Sequence, residues 1–261
     1  MRLTGETCRI DEVSDLDREQ MFALMQRYYE NVRREDFELD LAGKDWVITA
    51  RCPRTSRVLG FSTQSFVVLK VGDHDLGVLF SGDTIVDSRY WARNPVSTLW
   101  GRLALSLIDN NPERALYWFL ISKGYKTYRF LPVFFREFYP RANVSTPMWA
   151  TQMIETMAMQ RFGGRYCRSR GIVRSDPTGC RLRPEVATVT ESRLKDEAVA
   201  FFHAANPGHV EGDELCCLAP LRRGNFKRSA FRVIGTHVDM PTTIKSSSSL
   251  KLLAQSIRRG C

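Results

Sequence analysis

Residues Leu116 to Ile121 (LYWFLI) form an unbroken apolar run ended by Ser122 and Lys123. The run is far too short to cross a membrane. It has the character of a strand buried on both faces, and such a strand needs packed layers on either side of its sheet. The chain before it supplies the material. Met21, Leu24, Met25, Tyr28 and Val32 recur at steps of three and four, which predicts an amphipathic helix over Arg18 to Arg33. A polar stretch, 34–45 (REDFELDLAGKD), reads as a loop. Trp46 to Arg51, Val58 to Val71 and Leu76 to Val86 read as three strands of an antiparallel meander, separated by turns at Pro53 and Gly72. Leu99, Trp100, Leu103 and Leu107 then keep helical spacing over Ser97 to Asp109, immediately before the apolar run. Residues 128–138 predict a short helix with Pro132 in its first turn.

Beyond Pro140 the regular alternation fades. Helices are expected at 147–161 and 191–204, with a basic Gly- and Pro-containing stretch at 163–184 between them. Residues 241–249 (PTTIKSSSS) read as a linker, and Leu250 to Arg259 as a short basic amphipathic segment. The expected organisation is a core over 1–141, an extension over 142–240 and a tail over 241–261. No transmembrane segment is expected, and the polar, acidic opening residues lack the apolar centre of a signal peptide, so the expected location is cytoplasmic. Seven cysteines without zinc-site spacing read as reduced thiols, and no metal is expected.

The net charge of +9 points to an anionic partner. The basic residues cluster around 161–183 and 222–232 and form no single tract, so nucleic acid is not the expected partner. Arg165, Arg168 and Arg170 with Tyr166 fit a phosphate-contacting patch or a carrier-protein docking face.

The order helix, three-strand meander, loop, helix, parallel strand, helix resembles the core of GNAT-type N-acyltransferases over residues 18–141. The stretch GVLFSGDTIVDSRYW, residues 77–91, is similar to the strand and loop with which that family holds pantetheine and phosphate. The resemblance implies an α/β fold with a GNAT-like mixed central sheet flanked by helices, here followed by an α-rich C-terminal extension. It implies acyl transfer from acyl-CoA or an acyl-phosphopantetheine thioester to a small-molecule amine. The backbone of Thr84, Ile85 and Val86 would pair with the pantetheine amides, and Ser122 would contact the same arm. The family's loop carries close glycines, whereas this one has Arg89, Trp91, Arg93, Asn94 and Pro95 with none before Gly101. The side chains of Arg89 and Arg93 would then hold the phosphate. Members that take acyl groups from acyl carrier protein, such as N-acyl amino acid synthases and acyl-homoserine lactone synthases, are closest in character. An acidic acyl carrier protein suits the basic charge.

Gly82 interrupts its strand, so a bulge is expected there, opening the acyl site beside Asp83. Asp83 is the candidate base for the attacking amine. Tyr128, with Tyr125 and Tyr139, lies where the family keeps a tyrosine for the leaving thiolate. His209, in the loop 206–215 (NPGHVEGDEL), is a candidate base or metal ligand on a flap. Each has a plainer alternative: a structural carboxylate, core aromatics and a solvated histidine. Two rivals to the enzyme remain at this stage, a GNAT-shaped binding protein without catalysis and a nucleic-acid-binding protein.

Overall fold

The computed structural model describes residues 2–71 and 74–235. The expected linker at 241–249, the basic segment that follows it and His237 lie outside the described residues. In chain order the elements are β1 (Thr4–Arg9), α1 (Asp15–Tyr28), β2 (Tyr29–Glu30), α2 (Arg34–Ala42), β3 (Trp46–Arg51), β4 (Val58–Val71) and β5 (His74–Val86). There follow α3 (Val96–Asp109), β6 (Leu116–Ser122), α4 (Tyr125–Tyr128), α5 (Phe130–Phe134) and α6 (Met148–Phe162). The last group is β7 (Tyr166–Cys167), β8 (Ile172–Val173), β9 (Arg181–Leu182), α7 (Pro184–Ala187), α8 (Glu191–Leu194), α9 (Glu197–Ala205), β10 (Glu214–Pro220) and α10 (Arg228–Ile234).

The protein is mixed α/β. An eight-stranded sheet runs β1-β3-β4-β5-β6-β10-β8-β7, and β2 pairs with β9 in a separate two-stranded ribbon. Within the large sheet β5 and β6 are parallel, and the other pairs are antiparallel. The apolar run of β6 lies between β5 and β10, with Leu116, Trp118, Phe119 and Leu120 all buried. Its two faces feed different cores. Trp118 and Leu120 pack with α3 and the aromatic layer of Trp100, Phe134, Phe135 and Phe226, while Phe119 packs with Phe80 and α6. Trp100 and Trp118 pack with ring centres 4.3 Å apart and planes tilted by 43°. Gly101 lets α10 close on α3, because a Cβ there would overlap the Ile234 side chain.

Three elements differ from the expectation. The stretch 34–45 contains α2, whose Phe37 and Leu41 are buried one turn apart while five charged residues face outward or pair. Phe37 packs on Phe22 of α1 with ring centres 5.5 Å apart. The polar opening forms β1, an edge strand on β3. The helix expected at 191–204 is broken into α8 and α9, because Asp196 caps α9 by accepting from the Ala198 and Val199 amides at 3.0 and 3.3 Å. The region after residue 141 carries helices as expected, but it also contributes β7, β8 and β10 to the same sheet. A boundary at 141 therefore cuts through one sheet. Among the described residues no helix is long and apolar enough to cross a membrane.

Candidate active site

The sheet parts at one place. β5 pairs with β6 from Gly77↔Leu116 to Ser81↔Leu120 and no further; beyond this β5 stays with β4, and β6 with β10. At that apex Gln64 of β4 faces Ser81 and Ser62 faces Thr84, so Thr63 alone opposes Gly82 and Asp83. This is the expected bulge. Glycine is required at 82, since a Cβ would lie 2.6 Å from Thr63 Oγ1 and 2.7 Å from Lys44 Cε. The bulge also resets which amides face the gap. The Gly77 N–H bonds toward β6, to the Ala115 carbonyl, at 2.9 Å. Above the bulge the Asp87 N–H bonds back to Leu59 of β4 at 2.8 Å, so by alternation Ile85 also bonds β4, and Thr84 and Val86 turn their backbone groups into the gap.

On the α3 side of this apex a buried polar chain ties three strands together. Trp118 Nε1 donates to Ser81 Oγ (2.8 Å), which donates to Gln64 Oε1 (2.6 Å); Gln64 Nε2 donates to Ser62 Oγ (2.7 Å), which meets Thr84 Oγ1 at 2.6 Å. Every link crosses or braces the point where β5 leaves β6.

The other side of the apex is charged. Asp83 makes no hydrogen bond or close ion pair with the described residues, and burial together with the Asp40 charge pushes its carboxyl up to about 6 against the pull of Lys123 and Lys44. Lys123, just past β6, pairs with Glu214 at the start of β10 at 3.3 Å. Burial opposes the Lys123 charge, but Glu214, Cys180 and Asp83 outweigh it and hold the ammonium. Lys44 has a fully buried side chain and pairs with Asp40 at 2.5 Å, while burial lowers its pKa. Arg161, at the end of α6, sits over Phe80 with its guanidinium carbon 3.8 Å from the ring centre and pairs with Asp40 at 3.8 Å. Tyr29 is buried beside Lys123, and desolvation and the Asp83 charge keep its hydroxyl protonated. Cys180 belongs to the same group, with burial raising its thiol to about 11.

The gap's outer end is closed by a locked loop. Buried Asp87 accepts from Arg27 Nη1 (2.9 Å) and from Arg89 Nε, Nη2 and N (3.0, 3.0 and 3.1 Å), which holds its carboxyl low. The Ser88 amide donates to the Tyr28 hydroxyl at 2.8 Å. Trp91 Nε1 donates to the Val86 carbonyl at 2.7 Å, and Lys126 Nζ of α4 sits 3.4 Å from the Trp91 ring centre, spanning the mouth from the β6 side. Burial and Arg193 lower the Lys126 pKa to about 8. Asp87→Ala leaves two guanidinium groups and a turn amide without their acceptor, so it is expected to cost about 2 kcal/mol of stability. Urea unfolding at neutral pH measures this, and the deficit disappears as acid protonates Asp87 in the wild type.

The residues expected from sequence thus fall into two groups. Asp83, Thr84, Val86 and Arg93 border the gap or its exposed loop, and Arg89 borders it while already paired with Asp87. The others lie elsewhere. Ile85 bonds β4 with its backbone and buries its side chain in the α1 core. Ser122 is fully buried, its carbonyl receiving Asn206 Nδ2 at 3.4 Å. The Tyr128 ring packs among Phe138, Phe201 and Phe202, and its hydroxyl donates to the Pro140 carbonyl at 2.9 Å. His209 is not a solvated flap residue: it is buried against Phe202, with Nε2 3.2 Å from His203 Nδ1, and burial lowers its pKa. Glu214 is the member of that loop that reaches the site. In the basic patch Arg168 pairs with Glu155 at 2.9 Å, and Tyr166 is buried. A separate surface cleft of ≈ 390 Å³ lies at the opposite end of β6, lined by Leu116, Tyr117, Trp149 and Arg222 among others; it contains none of the expected site residues.

No family model and no curated protein matches the chain. Among solved structures it is similar to a GNAT family N-acetyltransferase from Escherichia coli in complex with CoA, at 20% identity and a TM-score of 0.32 over 47% of this chain and 64% of that one. It is similar to a probable N-acyltransferase of unknown function from Enterococcus faecalis, at 12% identity and a TM-score of 0.37 over 61% and 44%. A third likeness is to Saccharomyces cerevisiae N-myristoyltransferase with bound myristoyl-CoA, at 16% identity and a TM-score of 0.31 over 46% and 31%. The chain therefore spans less than two thirds of the length of each. Likeness at this level carries no argument about chemistry.

Proposed function

We propose that the protein transfers an acyl group from a pantetheine thioester, on CoA or an acyl carrier protein, to an amine, with Asp83 as the base. The observation that carries the reading is the bulge at Gly82–Asp83: it sets a half-buried carboxylate, without a hydrogen bond or close ion pair among the described residues, beside an open strand edge, at the point where β5 and β6 separate. A thioester laid in the gap has the amides of Thr84 and Val86 as donors for its arm and its carbonyl oxygen. Asp83 takes a proton from the acceptor's ammonium. The freed nitrogen lone pair attacks the thioester carbon, the C–S bond breaks, and the nitrogen's second proton ends on the departing thiolate beside Tyr29. Lys126, Arg93 and Arg89 supply positive charge at the mouth for the donor's phosphate.

A second reading, a thioester-independent binding protein, is favoured by one observation. The Val86 carbonyl is already occupied by Trp91, and Arg89 by Asp87. Native mass spectrometry with acetyl-CoA, a long-chain acyl-CoA and an acylated carrier protein separates the two. Acyl transfer requires at least one stable thioester complex and thiol release when amines are added. Failure of all three donors to bind overturns the enzyme and leaves the binding protein.

A further inference from the structure

Trp91 stands across the outer end of the gap. Its Nε1–H donates to the Val86 carbonyl at 2.7 Å, on the open edge of β5, and Lys126 of α4 meets the ring from the β6 side with Nζ 3.4 Å from the ring centre. Val86, Trp91 and Lys126 thus form a bar from one wall of the gap to the other. The acceptor at the end of this bar is one of the backbone groups that the bulge turns into the gap. An extended arm with amide N–H groups, laid along an open strand edge, bonds to that edge through such carbonyls. The indole stands where the arm would make that bond.

Two observations separate this contact from an ordinary structural tie. Trp91 is 43% exposed, whereas Trp100 and Trp118 in the core are 5% and 3% exposed. The loop that carries it is also fixed at both ends without it. Before Trp91, Asp87 is held by Arg27 and Arg89, and the Ser88 amide by the Tyr28 hydroxyl. After it, Asn94 Oδ1 accepts from the Val96 amide at 3.2 Å, where α3 begins. The indole can therefore leave Val86 by turning about its own side-chain bonds, with no strand or helix displaced.

We propose that Trp91 is a gate on the donor groove, latched by Lys126 in the empty protein and swung out when a pantetheine arm takes over the Val86 carbonyl. The proposal rests on the acyl-transfer reading. It also accounts for the observation that favours a binding protein, because an occupied carbonyl is then the resting state of a donor site. At Val86 one hydrogen bond replaces another, and the indole N–H passes to water. Opening loses the contact between Lys126 and the ring, and donor affinity is lowered by the fraction of molecules in which the gate is shut.

Trp91→Phe keeps a ring for Lys126 but has no N–H for Val86. Calorimetric titration of wild type and variant with acetyl-CoA, a long-chain acyl-CoA and an acylated carrier protein reads the gate. The variant is expected to bind the preferred donor about 3- to 10-fold more tightly. In the wild type the Trp91 indole N–H signal, assigned in proton–nitrogen correlation spectra by its loss from the variant, should shift and exchange faster with water as donor is added. Lys126→Met keeps Trp91 and removes the latch, so the same signal should exchange faster with no donor present. Equal or weaker donor binding by Trp91→Phe, or an indole signal unmoved at saturating donor, overturns the gate and leaves acyl transfer standing. An unchanged exchange rate in Lys126→Met overturns the latch. A donor bound by Trp91→Phe and refused by the wild type supports the gate in its strictest form. If neither protein binds any of the three donors, the acyl-transfer reading falls and the gate falls with it.

Discussion

Asp83→Asn is expected to lower kcat/KM by roughly 10²- to 10⁴-fold while leaving the thioester complex intact. The substitution keeps the shape and removes only the capacity to accept a proton. In the wild type kcat/KM should rise with pH and level off above about 6, where the carboxyl ionises. In the variant that limb should be gone. The same group has an opposite effect on stability. Its folded pKa is raised from 3.8 to about 6, so the neutral acid suits the folded state. Its contribution is fully present below pH 3.8 and fades as pH rises through 6. Asp83→Asn, permanently neutral, should therefore melt higher than the wild type at pH 8, with the difference closing at low pH. A variant that is slower yet no more stable at pH 8 would mean that Asp83 is partnered in solution, and the base assignment would fall with it.

Gln64→Leu is expected to destabilise the protein by about 3 kcal/mol, although the volumes are close. Gln64 is completely buried and gives both ends of its amide to the polar chain. Leucine leaves the Ser81 hydroxyl without an acceptor and the Ser62 hydroxyl without its amide donor, inside a packed core where each such loss costs about 1–3 kcal/mol. For a domain of this size the melting temperature should fall by about 6–12 °C. A second consequence is local. The chain pins Thr84 to Ser62 on one side of the bulge and Ser81 to Trp118 on the other, so losing its centre loosens the angle at which β5 leaves β6. Donor affinity should fall along with stability. A melting temperature within 2 °C of the wild type would show that the chain is ornamental.

What could be read from sequence was what repeats along it. The helix of α1, the meander of β3 to β5, α3 and the two-faced strand β6 each announce themselves through periodicity, and Gly82 inside a strand announced the bulge. α2 hid because Arg34, Glu35, Asp36, Glu38 and Asp40 make it polar throughout, with only Phe37 and Leu41 turned inward. β1 hid because an edge strand with exposed Thr4, Gly5 and Glu6 has no apolar face to show. Of the charged side of the site only Asp83 was legible, through the glycine beside it. Tyr29, Lys44, Asp83, Arg161, Cys180, Lys123 and Glu214 sit on seven separate stretches of chain and meet only through the sheet order. Tyr128 and His209 drew notice for residue type and neighbourhood along the chain, and the fold places both in the interior, packed against Phe202.

The position of β10 bears on how the molecule must be assembled. The last strand of the described chain is not at the rim; it lies between β6 and β8. While the chain emerges from the ribosome, the N-terminal elements can collapse first. β6 must then wait as an unprotected edge, apolar on both faces and with one row of backbone groups bare, until residues 214–220 arrive. A fragment ending near residue 141 keeps that edge permanently and has the features of an aggregating strand. The same arrival brings Glu214 to Lys123. The gap between β5 and β6 acquires its final wall in the step that makes the sheet safe, so an incomplete chain cannot carry the finished gap.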